Sequence, residues 1–244
     1  MTKHVLTFDV WYGTIRKQNK KGISVMKNLL NLDSPFIQFL MDVADLMILN
    51  LTYLVFCIPI VTIGAATAAL YRVMLNYAKD ETANPIRQFW RAFCENLKPA
   101  TILFLIMLIP MACLLYYIMA IVSAVYSGSM AMFLLICIAA LLIMMIWSFL
   151  WPMQAQFENN IGNTLKNSIL LSVGHFPRAI LMSVINFFPL MLMLLLPELF
   201  IRASMLWVLL GFSVSAKINT KLVLKVFAPF LQTTDTQNSE MMDE

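Results

Sequence analysis

Side chains that could act as acids, bases, nucleophiles or metal ligands are few in this sequence, and they are scattered. Asp42 and Asp45 share a helix face, but a carboxylate pair without a further partner group is weak evidence of catalysis. His4 and His175 have no carboxylate or cysteine at ligand spacing, and no phosphate-binding loop, GxSxG or HExxH motif occurs. We therefore expect no enzyme activity, no catalytic residue, no metal site and no cofactor.

Other polar side chains lie inside apolar runs, where ionisable and amide groups are costly and need an explanation. If the chain reverses near residue 59, Asp45 lies level with Arg72, and Asn50 lies level with Thr67. This spacing predicts an Asp45–Arg72 ion pair with an Asn50–Thr67 hydrogen bond above it. Asn186, in a later run, would bond a neighbouring helix or a carbonyl freed by a nearby proline. We favour a structural role for these residues, and the alternative is transport or proton relay.

The elements that must position these side chains are membrane-spanning helices. Of the 244 residues, 61% are hydrophobic and 12% are charged, whereas a soluble domain carries about 25% charged residues. Six apolar runs are long enough to cross a bilayer, which takes about 20 helical residues. They lie at about 38–58, 61–78, 100–126, 130–152, 179–197 and 199–216. We expect an all-α membrane bundle of about six transmembrane helices in three hairpins, with cytoplasmic amphipathic helices.

The first two runs are predicted to form a hairpin rather than one helix. A single helix over 38–78 would be about 60 Å long, twice the ~30 Å thickness of the hydrocarbon core. Pro59 breaks a helix, and Thr62 and Gly64 suit the start of the next one. The other two hairpin turns are expected at Tyr126–Ser129 and Pro197–Arg202.

The placement of lysine and arginine predicts the orientation of the bundle. With a cytoplasmic amino terminus, Arg202 alone of the 17 Lys and Arg residues lies outside, and Arg72 lies within a span. An excess of these residues in cytoplasmic segments is the positive-inside rule. We therefore expect a multi-pass protein of the cell membrane with both termini in the cytoplasm.

Two segments between spans are predicted to be amphipathic helices, at about 84–98 and 163–176. Asn84 and Pro85 form a helix-start signal, and a shift of 79 residues aligns NPIRQ (84–88) with NTLKN (163–167). The first helix would lie at the membrane surface, or would pack against the cytoplasmic ends of the spans. The cations expected near anionic lipid headgroups are Arg87, Arg91, Lys98, Lys217, Lys221 and Lys225.

Charge and polarity divide the chain into three parts. A basic cytoplasmic arm covers 1–35, a single transmembrane domain covers 36–228, and an acidic, polar tail covers 229–244. The composition of the tail predicts disorder, because it has too little apolar surface to bury.

The first hairpin resembles that of the YesL family of bacterial membrane proteins. The similar stretch is SPFIQFLMDVADLMILNLTYLVFCIPIVTIGAATAALYRVML (34–75), where the family pattern falls on Ala44–Leu46, Asn50, Ile58–Gly64 and Ala69–Tyr71. FWRAFCENLKPAT (89–101) and TLKNSILLS (164–172) are similar to two further family segments, so the resemblance covers about 28–225. The longer basic arm departs from the usual short start of the family. The resemblance carries over no catalytic or ligand residue.

Members of that family have no established activity and often lie beside genes for carbohydrate uptake and sensing, which implies an accessory role. We therefore expect a non-enzymatic membrane component with a membrane-protein partner or a second copy of itself, and no nucleic-acid partner. The alternative is a small transporter or channel subunit with a mid-membrane polar site. Asn50, Thr67 and Asn186 around one cavity would favour this alternative, whereas separate helix contacts would not.

Overall fold

The computed structural model describes residues 35–79, 84–122, 130–157 and 160–242, and the regular structure in these ranges is entirely helical. Its α-helices are α1 (Pro35–Cys57), α2 (Ile63–Tyr77), α3 (Pro85–Val122), α4 (Met130–Gln156), α5 (Ile161–Gly174), α6 (Phe176–Leu195), α7 (Pro197–Leu206) and α8 (Phe212–Met242). A 3-10 turn, Ile60–Thr62, precedes α2, and a π-helical turn, Trp207–Gly211, joins α7 to α8.

Six segments of the described chain are long and apolar enough to cross a membrane. They are Phe36–Cys57, Ile60–Tyr77, Pro85–Ala120, Met130–Gln156, Phe176–Leu195 and Pro197–Ala228. The predicted all-α fold class with six potential spans is therefore confirmed. The expected turn at Tyr126–Ser129 lies outside the described residues.

The chain divides into two compact units, one ending at Asp45 and the other beginning at Leu46. Of the first unit, the structure describes residues 35–45, where α1 begins and where Phe36 and Phe39 are exposed. The second unit contains the rest of α1 and the helices that follow.

The break between the first two spans falls where the sequence predicts it. After α1 ends, Pro59 has an extended backbone, and the 3-10 turn leads into α2. The Thr62 hydroxyl donates to the carbonyls of Phe56 and Pro59, each at 2.7 Å, and so ties the turn to the end of α1. Tyr53 and Thr67 meet across the turn at 3.3 Å, so these stretches of α1 and α2 lie side by side as a hairpin.

Helix α2 is the most buried of the six potential spans. In an apolar stretch of 18 residues taken from each segment, 56% of α2 is buried inside the protein, whereas the buried share is 17–28% in the other five. Its alanines and Gly64 let neighbouring helices approach closely, as small residues do in membrane bundles. A Cβ atom at Gly64 would lie only 2.6 Å from the Ala100 carbonyl oxygen of α3.

Helix α3 corrects the predicted division into an interfacial helix over 84–98 and a span beginning at 100. It is one helix with Pro99 and Pro110 inside it. The physical reason is a single buried stripe at helical spacing that runs through Pro99: Phe89, Ala92, Phe93, Ala100, Leu103, Phe104 and Met107. The rings of Phe89 and Phe93 pack at a tilt against Phe56 of α1, with centroid distances of 5.5 and 4.7 Å. This face therefore packs on the protein, whereas Ile86, Trp90 and Leu97 are exposed.

The second predicted amphipathic segment forms a separate helix, α5, which begins two residues before the expected start at 163. The Asn160 side chain accepts a hydrogen bond of 2.8 Å from the Ile161 amide at its start. The buried stripe of α5 consists of Thr164, Ser168, Leu171 and Ser172 and is therefore mainly hydroxylic. The Ser172 hydroxyl donates to the Met145 carbonyl of α4 at 3.1 Å.

The last potential span is longer than the predicted 199–216. It begins at Pro197, after a non-helical Leu196, and stays apolar to Ala228. Its backbone remains helical to Met242, where the sequence predicts a disordered tail from 229. Helix formation is cooperative, so a helix that is already nucleated can extend into a segment in which Thr233, Thr234 and Asp235 are poor helix formers.

A candidate polar site within the helix bundle

Three side chains from separate helices meet in the interior: Tyr71 of α2, Asn186 of α6 and Asn219 of α8. The Asn219 amide donates to the Asn186 carbonyl oxygen at 2.6 Å and to the Tyr71 hydroxyl at 3.2 Å. The Tyr71 hydroxyl donates in turn to the same Asn186 oxygen at 3.4 Å. Tyr71 and Asn219 are buried, so these bonds form where water has little access, while the Asn219 carbonyl oxygen has no partner among the described residues.

The same cluster continues into α4 through Ser148. The Asn186 amide donates to the Ser148 hydroxyl at 3.1 Å, and the Ser183 hydroxyl lies 3.3 Å from Ser148. Both serines also donate to the carbonyl one turn earlier in their own helices. Hydrogen bonds thus link α2, α4, α6 and α8, with about 0.6–2 kcal/mol expected for each interhelical bond in a membrane.

A cavity of about 210 Å³ lies beside this cluster. We call it the aromatic cavity. Its walls include Tyr53, Ile63, Thr67, Leu70, Tyr71, Trp147, Trp151, Asn186, Trp207, Phe212, Ser215 and Ala216. Six of these side chains are aromatic, and the described lining contains no carboxylate, imidazole, ammonium or guanidinium group. The aromatic cavity can therefore hold an uncharged polar molecule, but its lining offers no general acid or base with a pKa near neutrality.

Two indole N–H groups in these walls have no hydrogen-bond acceptor among the described residues. They belong to Trp151, which is 1% exposed, and to Trp207, which is half-buried. Buried tryptophan N–H groups usually find a partner, because an unsatisfied donor is costly. This aromatic wall therefore also contains hydrogen-bond donors that no described protein atom satisfies.

Asn50 joins α1 to the π-helical turn instead of bonding Thr67. Its amide donates to the Val208 carbonyl at 2.6 Å, and its carbonyl oxygen accepts from the Ser213 amide at 2.9 Å. The side chain thus bridges a carbonyl and an amide five residues apart, which a π-helix would otherwise join directly. The predicted Asn50–Thr67 bond is replaced because the turn in the last span leaves backbone groups that Asn50 can satisfy.

The π-helical turn also positions the Trp207 indole. A Cβ atom at Gly211 would lie 2.5 Å from the Trp207 ring, so glycine is what lets the ring lie across its own helix. The ring contacts Phe188 and Phe212 at centroid distances of 5.8 and 6.3 Å. Asn50 and Gly211 together hold an aromatic wall of the cavity in place.

Of the three residues predicted around a mid-membrane polar site, two line the aromatic cavity and one does not. Thr67 lines it and shares a 3.3 Å contact with the Tyr53 hydroxyl, while donating to the Ile63 carbonyl at 2.7 Å. Asn186 lines it from α6. Asn50 lies in the helix contact just described.

Arg72 lies in a second polar recess of about 330 Å³, lined also by Glu95, Asn96, Pro99, Gln154, Ala155 and Phe157. Its guanidinium Nη1 donates to the Ala155 carbonyl of α4 at 2.6 Å. Nearby, Gln154 donates to Asn96 at 3.0 Å and accepts from Thr164 at 3.4 Å, which connects α3, α4 and α5. The ion pair between Arg72 and Asp45 stays a prediction.

The cations expected at the interface fall into two groups. Arg87, Arg91 and Lys98 lie exposed on the first turns of α3, where Arg91 forms an ion pair of 2.8 Å with Glu95. Lys221 and Lys225 are exposed on α8, and the Lys217 ammonium lies 5.8 Å from the centre of the Tyr77 ring. The contact of these groups with lipid headgroups stays a prediction.

Sequence reasoning missed Tyr71, Trp151, Trp207 and Asn219 as parts of the polar site. Asn219 lies three residues beyond the predicted end of the last span, so hydropathy does not identify it as an intramembrane group. Its spacing of four from Ser215 is a usable signal, because both then face one side of the helix. The tryptophans carry no such signal, because an aromatic residue in an apolar run is most often a packing residue.

Among known proteins, the model of a family described as "Protein of unknown function, DUF624" matches residues 46–118. The matched stretch contains Asn50, Tyr53, Thr67 and Tyr71, and it ends before the helices that supply Trp151, Asn186 and Trp207. No curated protein and no solved structure matches the chain significantly.

Proposed function

We propose that this protein is a non-enzymatic, multi-pass component of the cell membrane that works with a protein partner in carbohydrate uptake or sensing. The aromatic cavity is the observation that carries the proposal. Its walls can recognise a molecule by stacking and hydrogen bonding, but they offer no acid–base pair for chemistry. The resemblance of the first hairpin supports the link to carbohydrate by association, and the family match falls on the same hairpin.

The proposed orientation places both termini in the cytoplasm of a bacterial cell. It rests on the distribution of lysine and arginine along the sequence and on the exposure of Arg87, Lys98, Lys221 and Lys225 in the structure. In this orientation these cations meet the anionic headgroups of the inner leaflet, at about 1 kcal/mol for each.

Co-purification tests the partner. The full-length tagged chain is extracted from its native membranes in mild detergent, and an equally expressed, unrelated multi-pass protein with the same tag is the control. We expect a transporter or sensor protein of a carbohydrate system to be enriched with this chain and absent from the control. Recovery of the chain with only further copies of itself would contradict the proposal of a separate partner.

A small transporter is the second candidate, because Thr67 and Asn186 line one cavity. In proteoliposomes that contain only this chain, a transporter would accumulate or equilibrate a labelled sugar faster than protein-free vesicles. An equal rate in the two kinds of vesicle would leave the accessory role as the better account.

A further inference from the structure

We propose that the aromatic cavity is a binding site for one small, uncharged, polyhydroxylated molecule. The inference deepens the proposed function and rests on it in one respect, that the bundle recognises a ligand and performs no chemistry on it. It makes no use of a partner, so it can be tested on the purified chain.

The walls suit the C–H groups of a polyol or sugar. Trp147 and Trp151 meet at 5.1 Å with an angle of 80° between their rings, and Trp207 and Phe212 meet at 6.3 Å and 77°. Rings that meet at right angles present both faces and edges to the space between them. Aromatic faces carry partial negative charge, so they attract C–H groups made partly positive by neighbouring hydroxyl oxygens.

The polar atoms of the lining need a ligand that both accepts and donates hydrogen bonds. The indole nitrogens of Trp151 and Trp207 have no acceptor among the described residues, but neither is open to a water-sized molecule, so a ligand reaches them only after a shift of the rings. The hydroxyls of Tyr53 and Thr67 share only a long contact of 3.3 Å, which a ligand oxygen can displace. A ligand hydroxyl group can both donate to and accept from the Tyr53 and Thr67 hydroxyls, whereas a hydrocarbon chain can do neither.

Charge and size restrict the ligand further. A charged molecule would lose its hydration without an ionic partner, because the described lining has no ionised group. At 210 Å³ the cavity is smaller than the roughly 300–1,000 Å³ of pockets that take drug-sized ligands. This space suits a short polyol or a monosaccharide and is too small to enclose an oligosaccharide.

Tryptophan fluorescence gives a direct test, because Trp147, Trp151 and Trp207 line the cavity and the chain has five tryptophans. The purified full-length chain in lipid nanodiscs is titrated with glycerol, erythritol, xylose and glucose. Gluconate and glucosamine serve as charged analogues, and decanol serves as an apolar chain. We expect a saturable change with at least one uncharged polyol or sugar, and no competition from the other three probes.

Two matched pairs of variants locate the site. Thr67→Val removes a hydroxyl from the cavity wall on α2. Its control is Thr52→Val on α1, because the Thr52 hydroxyl also donates to the carbonyl one turn earlier but does not line the cavity. Trp207→Phe reduces the aromatic surface of the cavity wall, and Trp90→Phe makes the same change at an exposed tryptophan of α3. We expect Thr67→Val and Trp207→Phe each to raise Kd about threefold or more, and the two controls to leave it unchanged.

The proposal is overturned if none of the uncharged probes gives a saturable signal, as expected for a cavity that holds only water. It is also overturned if decanol or the charged analogues bind as tightly as the uncharged probes, or if the cavity variants bind like their controls. A variant that fails to fold is recognised by its elution in gel filtration, and the other variant of the set then decides. The purified chain contains no partner, so failure here leaves the co-purification result standing.

Discussion

At the scale of single residues, amide side chains hold the last span to its neighbours. Asn50 satisfies a carbonyl and an amide of the π-helical turn, and Asn219 bonds both Asn186 and Tyr71. A hydrocarbon environment offers an amide no water as a hydrogen-bond partner. Each helix must therefore rotate about its axis so that its amide faces a partner in the protein.

Replacement of Asn50 by leucine tests its role at the π-helical turn. Asn50→Leu leaves the Val208 carbonyl and the Ser213 amide without their side-chain partner, so we expect a loss of about 1–3 kcal/mol in the free energy of unfolding. The measurement is unfolding in mixed micelles of mild detergent and dodecyl sulfate. Asn163→Leu, at an exposed position of α5, is the control and should change stability little. Equal effects of the two variants would contradict the assigned role.

A double-mutant cycle measures the bond between Asn186 and Asn219. These side chains are 2.6 Å apart at their polar atoms, so Asn186→Ala and Asn219→Ala should be non-additive by about 0.5–2 kcal/mol. The same unfolding assay gives the coupling. Additive effects would mean that the contact contributes nothing of its own to stability.

At the scale of elements, close approach of α2 and α3 decides the shape of the cavity wall. Gly64 lies against the Ala100 carbonyl, the Phe104 side chain and the tip of the Trp151 indole, which lines the aromatic cavity from α4. The helix contact and the cavity wall therefore share a residue, and a change in one is expected to disturb the other.

A single methyl group at Gly64 should separate these helices. Gly64→Ala would place a Cβ 2.6 Å from the Ala100 carbonyl oxygen, and backbone cannot yield as a side chain does, so we expect a destabilisation of about 1–3 kcal/mol. Gly162→Ala is the matched control, because a Cβ there meets no atom within 4 Å. In the first turn of α5 that control should be neutral or stabilising by up to about 1 kcal/mol. Thermal unfolding in detergent compares the two variants.

At the scale of the whole molecule, the described part of the chain has six segments apolar enough to span a membrane, and the proposed topology puts both termini on the cytoplasmic side. The proposed orientation puts the turn near Arg202 outside and helix α5 inside. Arg202 of α7 and Lys166 of α5 are both exposed, so chemical labelling at each position can show on which side of the membrane it lies.

Thiol labelling of single-cysteine variants tests this orientation. In a background with its four cysteines replaced, Arg202→Cys should react with a membrane-impermeant maleimide in intact cells. Lys166→Cys should react only after the membrane is permeabilised. The reverse pattern would invert the proposed topology, and labelling of both in intact cells would contradict the single span, α6, that separates the two positions.

The sequence by itself determined the class of protein, the six apolar segments and the break at Pro59–Gly64. These are local properties, because hydropathy, helix length and the geometry of proline act within a few turns of one helix. The continuity of α3 through Pro99 could not be read in the same way. It depends on a buried stripe whose partners, such as Phe56, come from another helix.

Only the tertiary structure decided which polar groups meet. The sequence placed Asn50 level with Thr67, but its hydrogen-bond partners lie 158 and 163 residues further along the chain. The aromatic cavity likewise needs side chains from α1, α2, α4, α6 and the last span together. Depth along a helix follows from residue number, whereas the direction that a side chain faces depends on how the helices rotate and pack. That rotation is settled by contacts between distant segments.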